Sequence, residues 1–121
     1  MCVMDVIIAD DSKAMRMLVL RALRHAGFSV TAREAADGKE ALELVKESVP
    51  DLILSDWNMP VMSGIDFLRE VRALGITTPF GFVTSETTAR MREEAILAGA
   101  SFLLGKPFTP EAFQDILTGL V

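Results

Sequence analysis

The sequence predicts an α/β fold, a single doubly wound (βα)5 domain with a parallel five-stranded sheet in the order 2-1-3-4-5. Three observations predict it. Short apolar runs alternate five times with longer stretches of helical period. The runs "VIIA" and "LIL" are apolar without a break, as central strands covered on both faces must be. The run from Phe28 alternates instead, with Phe28, Val30 and Ala32 set against Ser29, Thr31 and Arg33, which suits an edge. Right-handed crossovers between parallel strands then leave helices on both faces.

The first strand is expected over Val3–Ala9 and its helix over Lys13–Ala26. In that helix Met15, Leu18, Val19, Ala22, Leu23 and Ala26 recur at the spacing of one buried face. Ser12 or Asp11 caps it, and Gly27 stops it. Strands follow at Phe28–Ala35, Leu52–Ser55, Pro79–Thr84 and Ser101–Gly105. Helices follow them at Gly38–Ser48, Gly64–Leu74, Thr87–Ala98 and Pro110–Leu120. The order 2-1-3-4-5 reverses direction between strands one and three. Ligands sit at the carboxyl ends of the strands beside such a reversal.

A chain of 121 residues can bury one ordinary core, and half of its residues are hydrophobic. It carries 12 basic and 17 acidic residues, a net charge of −5, with no basic cluster. A nucleic-acid partner is therefore not expected. No run is long enough for a membrane span, and "MCVMDVIIADD" reads as a strand rather than a signal peptide. A cytoplasmic protein is expected. The only cysteine, Cys2, allows no internal disulfide and no thiolate zinc site. A single domain is expected over residues 1–121, without an output domain, because the last helix runs to the end of the sequence.

The strand ends carry the chemistry. This topology puts Asp10 and Asp11 after strand one, Asp56 after strand three, Thr84 at the end of strand four and Lys106 after strand five. All five then meet at one end of the sheet. A pair of carboxylates about 4 Å apart repel by about 4 kcal/mol at an effective dielectric near 20. Domains of ordinary stability do not ignore that. Lys106 offsets one charge, and a divalent cation is the natural remainder. Oxygen donors without histidine or cysteine favour Mg²⁺, or Mn²⁺, over zinc. A carboxylate beside such an ion can also act as a nucleophile and form an aspartyl phosphate. Phosphoryl transfer asks mainly for alignment and charge neutralisation. Asp56 is the candidate nucleophile, Asp10 and Asp11 the cation ligands, and Thr84 a hydroxyl for one phosphoryl oxygen.

Taken singly, each residue has a plainer role. Asp10–Asp11 can cap a helix, Asp56 can open a turn, and Lys106 can be a solvated strand end. Their joint placement is what those roles do not predict.

The segments "ADDS", "SDWNMPVMSG", "VTSE" and "GKPF", in this order and spacing, resemble the receiver domain of two-component response regulators. "DWNMP", "AGA" and "KPFT" are similar to the chemotaxis branch, the CheY-like proteins. The resemblance covers essentially the whole chain. It implies the flavodoxin/CheY-like fold and a signalling module rather than an enzyme. Such a module assists its own phosphorylation and dephosphorylation.

By the resemblance, Asp56 accepts a phosphoryl group from a histidine kinase or a histidine phosphotransfer protein. Asp10, Asp11, Asp56 and the backbone carbonyl of Asn58 hold Mg²⁺. Thr84 is the switch hydroxyl, and Lys106 the paired lysine, joined to Pro107 by a cis bond. The Asn58 side chain and Glu86 tune loss of the phosphoryl group. A downstream target docks on the helix 4–strand 5–helix 5 face, where a phosphorylation-dependent dimer is the alternative.

The sequence departs from the family at Leu103, where an aromatic switch residue usually stands; Phe102 falls on the opposite strand face. Ser63, in the position before the loop glycine, is expected to cap helix three. A Mg²⁺-dependent aspartyl-phosphate phosphohydrolase is the alternative function. It would want a second acid where Asn58 stands. A flavodoxin-like module would want a phosphate loop where "ADDS" is anionic.

Overall fold

The computed structural model describes residues 3–120. Five strands and five helices alternate along them: β1 (Met4–Ala9), α1 (Lys13–His25), β2 (Val30–Ala35), α2 (Gly38–Glu47), β3 (Leu52–Ser55), α3 (Gly64–Ala73), β4 (Phe80–Thr84), α4 (Ala89–Ala98), β5 (Phe102–Gly105) and α5 (Pro110–Thr118). All strand pairs are parallel, in the order β2-β1-β3-β4-β5. Every expected element is present, with bounds shifted by at most two residues. The Cys2 reading lies outside the described residues.

Two apolar cores cover the two sheet faces. One gathers Ile7, Ile53, Phe80 and Phe82 with α2 and α3. The other gathers Val6, Ile8, Leu52 and Leu54 with α1 and α5. "VIIA" and "LIL" are buried throughout, whereas Thr31 and Glu34 of the edge strand are exposed. Continuous and alternating patterns thus report central and edge positions.

Side-chain oxygens cap every helix. Ser12, Asp37, Ser63, Thr88 and Thr109 accept from the amide three residues on, as short polar side chains do at N-caps. Two expectations change here. Helix four starts at Ala89 rather than Thr87, because Thr88 is its cap. In α1, Leu18 is 46% exposed rather than buried. The buried arc of α1 centres on Val19, Ala22 and Leu23, and at 3.6 residues per turn Leu18 and Leu20 fall on its two margins. Leu20 packs on the second core, and Leu18 faces outward.

The loop after β3 stores strain. Val61 has φ 67°, and the Met62 amide donates to the Pro60 carbonyl at 2.7 Å, a tight turn centred on Val61. A β-branched residue in the left-handed region costs about 1–3 kcal/mol. Because Val61 is 78% exposed, its side chain regains little of that by packing. Val61→Asn is expected to raise thermal stability, by about 1 kcal/mol in chemical denaturation. A variant no more stable than the parent would show that this turn is not strained.

Candidate functional site at the strand ends

The carboxyl ends of β1, β3 and β5 converge on one small polar cluster. Asp10 follows β1 and is 4% exposed; its Oδ1 accepts from the Ser12 amide at 2.9 Å. Asp11, beside it, is exposed. Asp56 follows β3, and its Oδ1 accepts from the Trp57 amide at 2.7 Å. Lys106 follows β5 and joins them: Nζ donates to Asp10 Oδ2 at 3.0 Å and to Asp56 Oδ2 at 3.1 Å. Carboxylate oxygens of Asp10, Asp11 and Asp56 lie within 4.8 Å of one another. Three acids against one ammonium leave the cluster at −2.

Burial disfavours the Lys106 ammonium, but Asp10 and Asp56 more than offset this and hold its pKa above the ordinary lysine value. Lys106 is therefore fully charged at neutral pH.

The remaining charge suits a hard cation. The donors are all oxygen, from three carboxylates that share a single counter-charge, and no histidine or cysteine is among them. That donor set matches Mg²⁺ or Mn²⁺.

Backbone geometry holds the acids in place. Asp56 N donates to the Ala9 carbonyl at 2.8 Å, which ties β3 to β1 at the point where the acids emerge. Arg16 Nη1 donates to the Asp10 carbonyl at 2.6 Å while Nε pairs with Glu34 at 2.9 Å. Gly64 N donates to the Trp57 carbonyl at 2.8 Å, and a Cβ on Gly64 would collide with the Asp56 carbonyl oxygen. The loop from Trp57 to Ser63 can close over the strand end only with glycine there. The Trp57 ring rests on Phe82, centroids 4.7 Å apart, and Phe82 on Phe80 at 5.1 Å. The indole beside the site is thereby anchored to the core.

The other expected residues are distributed as follows. Thr84 is fully buried at the end of β4; its carbonyl accepts from the Lys106 amide at 2.8 Å, and its hydroxyl oxygen from the Glu86 amide at 3.5 Å. Glu86 and Asn58 are exposed. The Lys106–Pro107 bond is cis. Leu103 is 7% exposed in the core on the face where β5 packs against α4, and Phe102 packs into the opposite core. Gly81 pairs with Phe102 in the sheet, and the Phe102 ring covers the space a Gly81 side chain would need. The one aromatic ring near the switch position is thus committed to the other face. Arg16, Gly64 and the Trp57 amide escaped the sequence reading. Gly64 alone left a signal there, as the end of a turn-forming run.

Comparison with known proteins gives the family. Residues 6–118 match the response regulator receiver domain family. The chain belongs to that family. The receiver is 40% identical over 114 residues to the chemotaxis protein CheY of Pseudomonas aeruginosa, covering 93% of this chain and 91% of that one. It is 38% identical over 116 residues to chemotaxis protein CheY-3 of Vibrio cholerae, covering 94% and 88%. Among solved structures, Vibrio cholerae CheY4 superposes with a TM-score of 0.87 at 37% identity, over 99% of this receiver and 100% of that chain. As a receiver the chain is a phospho-accepting signalling module of two-component systems. No helix among its described residues is long and apolar enough to cross a membrane.

Proposed function

We propose that Asp56 is the phosphoryl acceptor of this receiver, charged by a histidine kinase or a histidine phosphotransfer protein. The observation that carries this reading is the Lys106 ammonium set between Asp10 and Asp56, with Asp11 in reach. Asp10, Asp11, Asp56 and the Asn58 carbonyl would hold Mg²⁺, or Mn²⁺. That ion supplies neutralisation of the charge on the transferring group and its oxygens.

This chain's own residues do the rest. One Asp56 carboxylate oxygen attacks phosphorus in line, and the P–N bond to the donor imidazole breaks, its electron pair staying on the leaving nitrogen. The Trp57 amide donates to Asp56 Oδ1 and Lys106 to Oδ2, so the carboxylate is already oriented. Lys106, charged throughout, neutralises a phosphoryl oxygen, and the Thr84 hydroxyl turns to donate to another. Asn58 and Glu86, both exposed at the rim, tune the approach of water to the aspartyl phosphate.

Phosphorylation adds roughly −1.5 to −2 charges at neutral pH. Thr84 and Lys106 respond by moving inward, which biases a two-state surface. With Leu103 packed in the core and Phe102 held over Gly81, the change reaches the surface without a rotating ring. The α4–β5–α5 face supports target docking. Helix α4 fully buries only Ala95, and Ile96 and Leu97 are 57% and 80% exposed. A phosphorylation-dependent dimer would use the same face. The relatives named as chemotaxis proteins support an output of that kind.

Trp57 tests the cation site. Its ring is fixed beside Asp56, so Mg²⁺ titration should change its emission saturably, and Asp11→Asn should shift the midpoint to higher concentration. Emission that stays constant to saturating Mg²⁺ would remove the ion from this cluster.

A further inference from the structure

Helix α1 carries no acid: its charged or titratable side chains are Lys13, Arg16, Arg21, Arg24 and His25, in a chain of net charge −5. A cleft of about 340 Å³ lies between this helix and the segment joining β5 to α5. Its apolar walls are Met15, Leu18 and Ala22 on one side and Pro107, Phe108 and Pro110 on the other. The walls are built rather than loose. Ala22 is buried, and Phe108 stands edge-on against the buried Phe113, centroids 5.2 Å apart.

Arg21, His25 and Lys106 complete the lining, and no acid among the described residues takes part. Lys106 Nζ is already held by Asp10 and Asp56. Arg16, one turn earlier on the helix, is engaged by Glu34 and the Asp10 carbonyl. Arg21 makes no ion pair among the described residues and has His25 one helical turn away, where both meet the cleft. An apolar slot with unshared donors at its rim, in an otherwise acidic protein, is complementary to an anion with an apolar body.

We propose that this cleft is a binding site for a small anionic amphiphile, an aromatic or branched aliphatic carboxylate. The body lies between Leu18 and Phe108, and the carboxylate meets Arg21 and His25. The volume is at the small end of the range for ligand sites, about 300–1,000 Å³, and accommodates a two-ring body. The cleft adjoins the acid cluster, because Lys106 lines the one and bonds Asp10 and Asp56 in the other. The two share the segment Lys106–Pro107, so occupancy reaches the backbone of the paired lysine.

The experiment is a titration of the ¹⁵N-labelled full chain with 2-naphthoate, and in parallel with the neutral 2-naphthylmethanol, followed by amide chemical shifts. Saturable shifts are expected in residues 15–25 and 106–113, with a Kd for naphthoate at or below about 1 mM. The alcohol should bind at least about tenfold more weakly. Arg21→Gln, an exposed substitution that should leave the melting temperature unchanged, should bring naphthoate down to the affinity of the alcohol. Equal affinity for acid and alcohol, shifts scattered over the surface, or an unaffected Arg21→Gln variant would each overturn the proposal. So would concentration-dependent shifts of the same residues without naphthoate, which would make a second copy of the chain the occupant.

Discussion

Asp56→Asn is expected to take up no phosphoryl group while remaining folded. The carboxamide is no nucleophile, yet its single oxygen still accepts from the Trp57 amide as Oδ1 does, and Lys106 keeps Asp10 as its partner. Replacing one of three clustered carboxylates also relieves repulsion, gross about 4 kcal/mol for a pair 4 Å apart at an effective dielectric near 20. The melting temperature without Mg²⁺ should therefore equal or exceed that of the parent. Label transfer from a radiolabelled histidine kinase, run beside a thermal melt, reads both effects. Label reaching the variant would contradict the assignment, and an unfolded variant would contradict the electrostatic account.

Gly64→Ala has the second large effect, for a steric reason. Its Cβ would collide with the Asp56 carbonyl oxygen and press on the Phe82 ring. Backbone cannot yield as the end of a flexible side chain does. The Ser63 cap of α3 and the hydrogen bond from the Gly64 amide to the Trp57 carbonyl hold the same residues from the other side. Overpacking a fixed site costs typically 1–3 kcal/mol and sometimes more. Here a loss of about 3 kcal/mol in chemical denaturation is expected, with phosphoryl uptake falling in the fraction that stays folded. Gly27→Ala is the comparison: φ there is 98°, but no atom lies within reach of a Cβ, so its smaller loss leaves phosphoryl uptake intact. Equal losses at the two positions would show that the contact at Asp56 does not matter.

The two glycines also show what was legible in the sequence. Gly27 ends a helical period, so its role can be read locally. Gly64 has its role because β3 and the start of α3 approach each other in space, and a pattern of apolar residues does not encode that distance. The strand order was legible because burial on both faces leaves a continuous apolar run, and burial on one face an alternating one. The acid cluster was legible because topology sends the ends of parallel strands to one edge of the sheet.

Leu18 was misplaced because helical spacing gives the width of an apolar face but not which margin meets the sheet. Its exposure is what opens the cleft beside Phe108. Arg16 was invisible as a positioning residue, since an arginine on a helix surface looks the same whether or not a strand-end carbonyl lies in reach. The departure at Leu103 was readable as a missing ring. Strand alternation already set Phe102 on the opposite face, and packing adds that Gly81 gives that ring its place there.

The most direct test is to locate the phosphoryl group. The chain, phosphorylated by a histidine kinase in Mg²⁺, is reduced with borohydride, which converts an aspartyl phosphate to homoserine, and is then digested and sequenced by mass spectrometry. Homoserine at position 56, and at no other acid, is the predicted result. Homoserine at Asp10 or Asp11, or phosphate on a serine or threonine with position 56 still aspartate, would contradict it.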